Sequence, residues 1–389
     1  MSVTTPRGFR ASGITAGLKA SGRPDLALVV NDGPSHAAAA VFTSNRVAAA
    51  PVHWSRQVLS DGRVDAVVLN SGGANACTGP EGFQNTHATA EKVAAVLGVS
   101  ATDVAVCSTG LIGEQLPMAK ILPGVAQAAA ALTHDGGAAA AGAIMTTDTV
   151  SKQALWTSPP NSDGISYSIG GMAKGAGMLA PGLATMLVVI TTDAGVEAEA
   201  LDAALRDAVR VTFNRTDSDG CMSTNDTVLL MASAVSTAFP AMDQFTAGLT
   251  KVCSELALAL ISDAEGASHD IAITTVGAAS EHDAETVSRA VARSNLFKTA
   301  IFGKDPNWGR VLSAVGTTDA AFDPDHINVS INGVMVCRNG SIGDSRDLVD
   351  LAPREVLVEI DLNAGSAQAT ILSNDLTHAY VEENSAYSS

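Results

Sequence analysis

Short apolar runs alternate along the chain with segments whose apolar residues recur at helical spacing. The strand-like runs are 26–30, 39–42, 66–69, 104–107, 185–192, 227–232, 271–276, 327–331, 356–360 and 367–372. Helical spacing marks 87–97, 118–132, 138–143, 196–211, 242–261 and 285–292. The run 185–192 is continuous and rich in β-branched residues, which is typical of a strand buried on both faces. Because strands and helices are mixed throughout, the pattern predicts a layered α/β architecture.

The length of the chain indicates two domains. Its 389 residues exceed one small domain at a typical ~150 residues each. No internal repeat or low-complexity linker divides them. We place the boundary near residue 280, with a larger α/β domain at 1–280 and a smaller α+β domain at 281–389. Since aromatic residues are only 4% of the chain, Ala, Val, Leu and Ile must build the core.

Acidic residues outnumber basic ones, and 23 Lys and Arg against 40 Asp and Glu give a formal net charge of −17. A surface of this sign repels phosphate groups, so we expect neither general nucleic-acid binding nor anchoring to an anionic membrane. Residues 1–13 lack the apolar stretch of a secretion signal. The uncharged run 175–192 is interrupted by three glycines and a proline, so it predicts a loop and a strand rather than a membrane span. We expect a cytoplasmic protein.

Common metal-binding and catalytic motifs are absent from the sequence. The five cysteines are odd in number and show no C-x-x-C spacing, so neither a disulfide framework nor a zinc knuckle is expected. The eight histidines are dispersed, and no two stand four residues apart. There is no phosphate-binding G-x-x-x-x-G-K-[ST] loop, no H-E-x-x-H and no G-x-S-x-G. We therefore expect no metal and no cofactor.

One junction could provide a catalytic nucleophile, because a glycine-rich loop runs directly into the strongest predicted strand at Ala184 and Thr185. Cutting that peptide bond would make Thr185 an N-terminal residue. Its Oγ would be a nucleophile, and its own α-amine, with an ordinary pKa of about 7.7–8.0, would be the adjacent base. The same Oγ could make the cut through an N→O acyl shift. The structural alternative is that Thr185 simply begins a strand, where Thr is common.

The segment Lys174–Leu187, KGAGMLAPGLATML, resembles the self-cleavage and nucleophile motif of the ornithine acetyltransferases, the glutamate N-acetyltransferase family of arginine biosynthesis. Further blocks resemble the family in the same order, at 69–79, 108–113, 144–149, 263–266, 305–310 and 380–389. The resemblance covers nearly the whole chain, in the manner of an actinobacterial member. Several ordered blocks are far more specific than any one of them.

The resemblance implies an αββα-layered sandwich of the N-terminal-nucleophile type for 1–280, and a smaller C-terminal domain whose tail returns to the active site. It implies self-cleavage between Ala184 and Thr185, giving chains of 184 and 389 − 184 = 205 residues that assemble as α2β2. Thr185 would take the acetyl group from N2-acetyl-L-ornithine and pass it to L-glutamate. The sequence leaves open whether acetyl-CoA is also a donor.

The resemblance also assigns site residues. Thr109 and Gly110 match the family's oxyanion stabilisers. The positions that match its substrate contacts are Thr147, Lys174, Thr185, Glu265, Asn384 and Ser389. A lysine suits the carboxylate that both substrates share, and a glutamate suits the δ-ammonium of acetylornithine. Without the resemblance, the same residues read as an ordinary turn, a helix cap, solvated charges and a frayed tail.

Two other functions fit parts of the pattern. A self-processing aminopeptidase or amidase of the same fold would use the same nucleophile with water as acceptor. An unprocessed amino-acid-binding protein would remain one intact chain. Chain mass separates the binding protein from the two enzymes, and an acceptor assay separates the transferase from the hydrolase. The block Asp305–Arg310 has no assigned role beyond the helix start that Pro306 suggests.

Overall fold

A computed structural model describes residues 2–178 and 186–386, which form two compact units. The first unit contains residues 2–176, 186–214 and 222–260, and the second contains 177–178, 215–221 and 261–386. The longest continuous segment of the second unit begins at Ile261. Strand Asp270–Ala278 belongs to this unit because it hydrogen-bonds into the sheet of that unit.

Two sheets make up the centre of the first unit. The four-stranded sheet has the order β1-β2-β4-β5, and the five-stranded sheet has the order β3-β9-β8-β7-β6. Their strands are β1 (Phe9–Ile14), β2 (Leu26–Asn31), β3 (Ala38–Phe42), β4 (Ala66–Asn70), β5 (Val104–Ser108), β6 (Lys152–Thr157), β7 (Ser168–Lys174), β8 (Leu187–Thr192) and β9 (Thr227–Ala232).

Helices cover the outer faces of these sheets and give the αββα layering that the family resemblance implied. They are α1 (Ala50–Val58), α2 (Gly79–Leu97), α3 (Met118–Ala130), α4 (Gly137–Ala143), α5 (Ala198–Val211) and α6 (Met242–Ser262). One apolar cluster joins buried residues of both sheets, including Val67 of β4 and Val189 of β8. On the other side of the five-stranded sheet, Gly171 lies against Leu256 of α6.

Strand β8 is buried at every residue, as its uninterrupted apolar sequence predicts. It pairs antiparallel with β7, with Lys174 opposite Leu187, and parallel with β9. The last residue of β7 and the first residue of β8 therefore lie side by side at the same end of the two strands. The strand was expected to start at Thr185, and that residue lies outside the described part of the chain.

The second unit contains one six-stranded sheet of order β13-β12-β11-β14-β10-β15. Its strands are β10 (Asp270–Ala278), β11 (Asn328–Ile331), β12 (Val334–Arg338), β13 (Ser341–Ile342), β14 (Glu355–Asp361) and β15 (Ala367–Asn374). Its helices are α7 (Glu281–Ala292), α8 (Asn295–Phe302), α9 (Trp308–Val315) and α10 (His378–Ala386). Sheet and helices share an apolar core built largely from Val and Ile. This is the smaller α+β part of the molecule.

Helix α6 is, among the described residues, the one helix whose length and composition would allow it to cross a membrane. Half of its most apolar stretch is buried within the protein. Val252 and Leu256 on this helix pack against Gly171 of β7. The helix is thus a core element of the fold.

Candidate active site

The site in the first unit begins with a turn after strand β5. Strands β4 and β5 are parallel, so Asn70 and Ser108 end at the same edge of the sheet. The Ser108 hydroxyl donates to Asn70 Oδ1 at 2.6 Å, and the Thr109 N–H donates to the Asn70 carbonyl oxygen at 2.9 Å. These bonds fix the turn that carries Thr109, whose residue is 2% exposed.

Gly110 continues this turn in a conformation that favours glycine. Its φ is +134°, and a Cβ there would lie 2.6 Å from the Gly73 nitrogen. Within the described part of the chain, no group accepts a hydrogen bond from the Gly110 N–H. A backbone N–H and a neighbouring threonine hydroxyl on one fixed turn can together stabilise a carbonyl oxygen that gains negative charge.

Lys174 connects the last residue of β7 with this turn. The residue is 1% exposed, and its Nζ donates to Thr109 Oγ1 at 3.2 Å. Since the Thr109 oxygen accepts from an ammonium, its own O–H must point away from Lys174. The contact therefore prepares the hydroxyl to donate elsewhere, and the nearby positive charge strengthens that donation.

Asp148 supplies the counter-charge for two buried lysines. Its Oδ1 accepts from Lys152 Nζ at 2.6 Å and from the Gly175 N–H at 2.7 Å. Burial raises the pKa of Asp148, but the charges of Lys174 and Lys152, together with hydrogen bonds from Lys152 and the Gly175 N–H, outweigh burial and bring the pKa to about 2. Asp148 is consequently a carboxylate throughout the physiological range, and it makes the burial of Lys174 tolerable.

Thr147 lies in the same turn as Asp148, and its residue is half-buried. The Thr146 N–H donates to Asp148 Oδ2 at 2.9 Å. Lys19 holds the turn from another side, because its Nζ donates to the Met145 carbonyl oxygen at 2.6 Å. Burial lowers the pKa of Lys19 to about 8, with Arg23 as the next cause. The structure thus brings the Thr147 turn and Lys174 together through Asp148.

A second buried carboxyl group belongs to Asp226, at the residue before β9. It is fully buried, and its Oδ1 accepts from the Met186 N–H at 3.1 Å. Burial raises the pKa of Asp226 well above that of an ordinary aspartate, and the Met186 N–H opposes this only in part. Asp226 therefore keeps its proton far more readily than Asp148 does.

In the second unit, the structure brings Glu265 and Asn384 together. Glu265 follows helix α6, and its Oε2 accepts from Asn384 Nδ2 at 2.9 Å. Glu265 also borders Gly177, where a Cβ would lie 2.8 Å from the same oxygen. Asn384 belongs to helix α10, so the described part of the C-terminal tail is helical and packs on the loop that carries Glu265.

Three predicted site residues, Ala184, Thr185 and Ser389, lie outside the described residues. Sequence reasoning missed Asp148, Asp226 and Lys19. Asp148 stands in the family-like block 144–149, directly after Thr147, so that block gave a signal for it. Asp226 and Lys19 gave none, because only the folded chain shows that Asp226 is buried and that Lys19 contacts the Thr147 turn. No group of three or more metal-ligating side chains occurs within residues 2–178 and 186–386.

The layered sheets, with a buried lysine beside the Thr109–Gly110 turn, are an arrangement that suits an α/β enzyme of the acyl-transfer type. The profile of the ArgJ family matches residues 10–389. The arginine biosynthesis bifunctional protein ArgJ of Streptomyces coelicolor is 66% identical over 389 residues, and the match covers 100% of each chain. The ArgJ protein of Thermobifida fusca is 62% identical over 388 residues, again with 100% of each chain covered. The chain therefore belongs to the ArgJ family.

A solved structure is also similar in sequence. Ornithine acetyltransferase complexed with ornithine, from Mycobacterium tuberculosis, is 57% identical, and the match covers 48% of this chain and 96% of that chain at a TM-score of 0.44. The family predicted from the sequence motifs is confirmed by the profile and the full-length relatives. The expectation of an enzyme of this family is confirmed with it.

Proposed function

We propose that this chain is a self-processing acetyltransferase that moves the acetyl group of N2-acetyl-L-ornithine to L-glutamate through an acetyl-Thr185 ester. One observation carries the proposal: the buried Lys174 ammonium donates to the Thr109 hydroxyl, beside a Gly110 N–H with no acceptor among the described residues. An acyl-transfer reaction needs such hydrogen-bond donors to stabilise the negative charge on its tetrahedral intermediate. Full-length identity to ArgJ proteins supports the same reaction.

Self-cleavage comes first in the proposed sequence. Thr185 Oγ attacks the carbonyl carbon of Ala184, the C–N bond breaks, and the Thr185 nitrogen leaves with the hydroxyl proton. Water then hydrolyses the resulting ester. The products are a chain ending in the Ala184 carboxylate and a chain beginning with the free Thr185 amine. The new amine supplies the base that a threonine nucleophile requires.

Acetyl transfer uses the same oxygen. The Thr185 amine accepts the Oγ proton as Oγ attacks the acetyl carbonyl carbon, and ornithine leaves with that proton. The α-amine of glutamate then attacks the ester carbon, and N-acetylglutamate leaves as Thr185 Oγ recovers a proton. Thr109 Oγ1 and the Gly110 N–H stabilise the oxyanion in both steps. The ester divides one difficult transfer into two easier ones.

We further propose Thr147, Glu265, Asn384 and Ser389 as substrate contacts, whereas Lys174, which the family resemblance also gave as a substrate contact, acts through Thr109. Glu265 retains one carboxylate oxygen beyond the one that binds Asn384, and a carboxylate is the group that recognises a δ-ammonium. We propose that the larger part of the chain, to about residue 280, is the catalytic domain. We also propose an α2β2 assembly of the two cleaved chains and a cytoplasmic location.

The test compares the wild-type protein with Thr185→Ala by denaturing mass spectrometry. The wild type is expected as two chains, and the variant as one chain of 39.4 kDa. Donor alone is expected to add one acetyl mass to the wild-type β chain, and the two substrates should give parallel double-reciprocal lines. Intersecting lines without an acetyl adduct would refute the covalent route. Release of acetate without glutamate would favour the amidase. A wild-type protein that remains one intact chain would favour the binding protein.

A further inference from the structure

Met186, the residue after the proposed nucleophile, is held on both sides by the start of strand β9. Its N–H donates to Asp226 Oδ1 at 3.1 Å, and its carbonyl oxygen accepts the Thr227 N–H at 3.2 Å. Asp226 is itself fixed, because its carbonyl oxygen accepts the Thr43 N–H at 3.0 Å. One aspartate side chain thus sets the peptide group at the entrance to β8.

Peptide bonds are planar, so a fixed N–H direction at Met186 restrains the peptide group that joins Met186 to the residue before it. A nucleophile needs this precision, since a displacement of about 1 Å can cost ~10²-fold in rate.

Asp226 differs from a carboxylate that merely stabilises the fold by charge. It is fully buried, and its second oxygen, Oδ2, has no hydrogen-bond partner among the described residues. A buried carboxylate with an unpaired oxygen is costly, whereas the neutral acid still offers Oδ1 as an acceptor. Burial raises the pKa of Asp226 by more than its hydrogen bonds and the charge of Lys174 lower it. Toward Met186, Asp226 acts as a hydrogen-bond acceptor for the backbone N–H.

We propose that Asp226 is a positioning residue for the Thr185 nucleophile, acting through the Met186 N–H in both self-cleavage and acetyl transfer. This inference rests on the proposed role of Thr185. It predicts that the acceptor oxygen matters and that the negative charge does not. Asp226→Asn keeps an oxygen of the same geometry, while Asp226→Ala removes it.

Asp193 provides a matched control at the opposite end of the same strand. It follows β8 directly, is 4% exposed, and its Oδ1 accepts the Ser168 N–H at 2.8 Å. It is therefore a buried aspartate that binds a backbone N–H, as Asp226 is. Seven residues separate it from Met186, which is roughly 23 Å along an extended strand. Asp193→Ala should lower the melting temperature without changing the chemical step.

The experiment follows cleavage of full-length protein in cell-free synthesis by denaturing mass spectrometry, and then acetyl-adduct formation on the cleaved fraction with N-acetylornithine alone. Asp226→Ala is expected to slow both rates about 10²-fold with little change in the KM for acetylornithine. The two rates of Asp226→Asn are expected to stay within a few-fold of the wild-type rates. The two rates of Asp193→Ala are expected to equal the wild-type rates. Should Asp226→Ala be insoluble, Asp226→Val replaces it.

Two results would overturn the inference. Wild-type rates in folded Asp226→Ala would show that the acceptor is not needed. An Asp226→Asn variant as slow as Asp226→Ala, at an unchanged melting temperature, would show that the charge is what acts. Failure of the wild-type chain to cleave or to form the adduct would instead refute the proposed function itself, so the two failures are separable.

Discussion

At the residue scale, Lys174 and Thr109 form the contact that most directly affects transition-state charge. The ammonium makes Thr109 a better hydrogen-bond donor, and that donor is used only when the oxyanion forms. Interactions that strengthen in the transition state raise kcat, whereas those shared with the ground state lower KM. A lysine that acts through Thr109 therefore has a kinetic signature distinct from one that binds the substrate carboxylate.

We predict that Lys174→Met lowers kcat by about 10²-fold, because losing the support of one oxyanion donor has effects of that order. The KM values for acetylornithine and glutamate should change less. If Lys174 instead binds the shared carboxylate, both KM values should rise by the same factor while kcat holds. Steady-state kinetics on fully cleaved protein decides between these outcomes.

Lys152→Met is the matched control for that variant. Lys152 is also buried and also binds Asp148, at 2.6 Å, whereas the ammonium that donates to Thr109 Oγ1 is that of Lys174. Loss of Lys152 should lower stability and leave kcat within a few-fold of the wild type. Equal losses of kcat in both lysine variants would assign the effect to Asp148 and not to the Thr109 contact.

The sequence predicted Thr109, Gly110 and Lys174 as a group only through resemblance to a family. Composition alone would have placed Lys174 on the surface, yet it is 1% exposed. Burial of a charged residue depends on a partner far along the chain, here Asp148, and no local pattern encodes that pairing. For the same reason the burial of Asp226 could not be predicted, because Asp226 stands in a polar stretch whose composition is typical of a solvated loop.

At the element scale, most strands and helices follow from apolar periodicity, and the exceptions have a packing cause. The strand at Thr227–Ala232 has the predicted bounds. Strand β7 gave no signal because two glycines interrupt it, and Gly170 is required because a Cβ there would lie 2.3 Å from the Ser2 carbonyl oxygen. Gly13 in β1 is similarly required by the carbonyl group of Ala139, 2.0 Å from where a Cβ would be.

Helix α10 is attached to the loop that carries Glu265 at two places. Thr377 Oγ1 donates to the Gly266 carbonyl oxygen at 2.7 Å and accepts the Tyr380 N–H at 3.1 Å, so it caps the helix and joins the loop at once. Further along the helix, Asn384 Nδ2 donates to Glu265 at 2.9 Å. The tail therefore orients a carboxylate rather than merely covering it.

We predict that Asn384→Ala raises the KM for acetylornithine about 10-fold, because a hydrogen bond to a charged group is worth roughly 1.5–3 kcal/mol. The KM for glutamate should rise less, since glutamate has no side-chain ammonium for Glu265 to bind. Ser385→Ala is the control on the same helix, because the Ser385 hydroxyl donates to the Glu382 carbonyl oxygen within that helix. Equal effects on the two substrates would contradict a role for Asn384 through Glu265.

At the scale of the whole molecule, the ionisation of Asp148 links the stability of the fold to pH. Asp148 has a pKa of about 2 in the folded protein and near 3.8 when unfolded. Because its pKa is depressed on folding, its contribution to stability is fully present above pH 4 and disappears as the pH falls from about 4 to 2. Its ionised form is worth roughly 2 kcal/mol on this basis.

We therefore predict that Asp148→Asn is destabilised relative to the wild type at pH 7, and that the difference in unfolding free energy shrinks between pH 4 and pH 2. Urea unfolding monitored by the fluorescence of Trp54 and Trp156, both in the first unit, measures this difference at each pH. Asp32→Asn is the control, because Asp32 pairs with Arg10 at the surface, where such pairs contribute about 0–1 kcal/mol. A gap between wild type and Asp148→Asn that stays constant down to pH 2 would show that packing, and not the carboxylate charge, accounts for the contribution of Asp148.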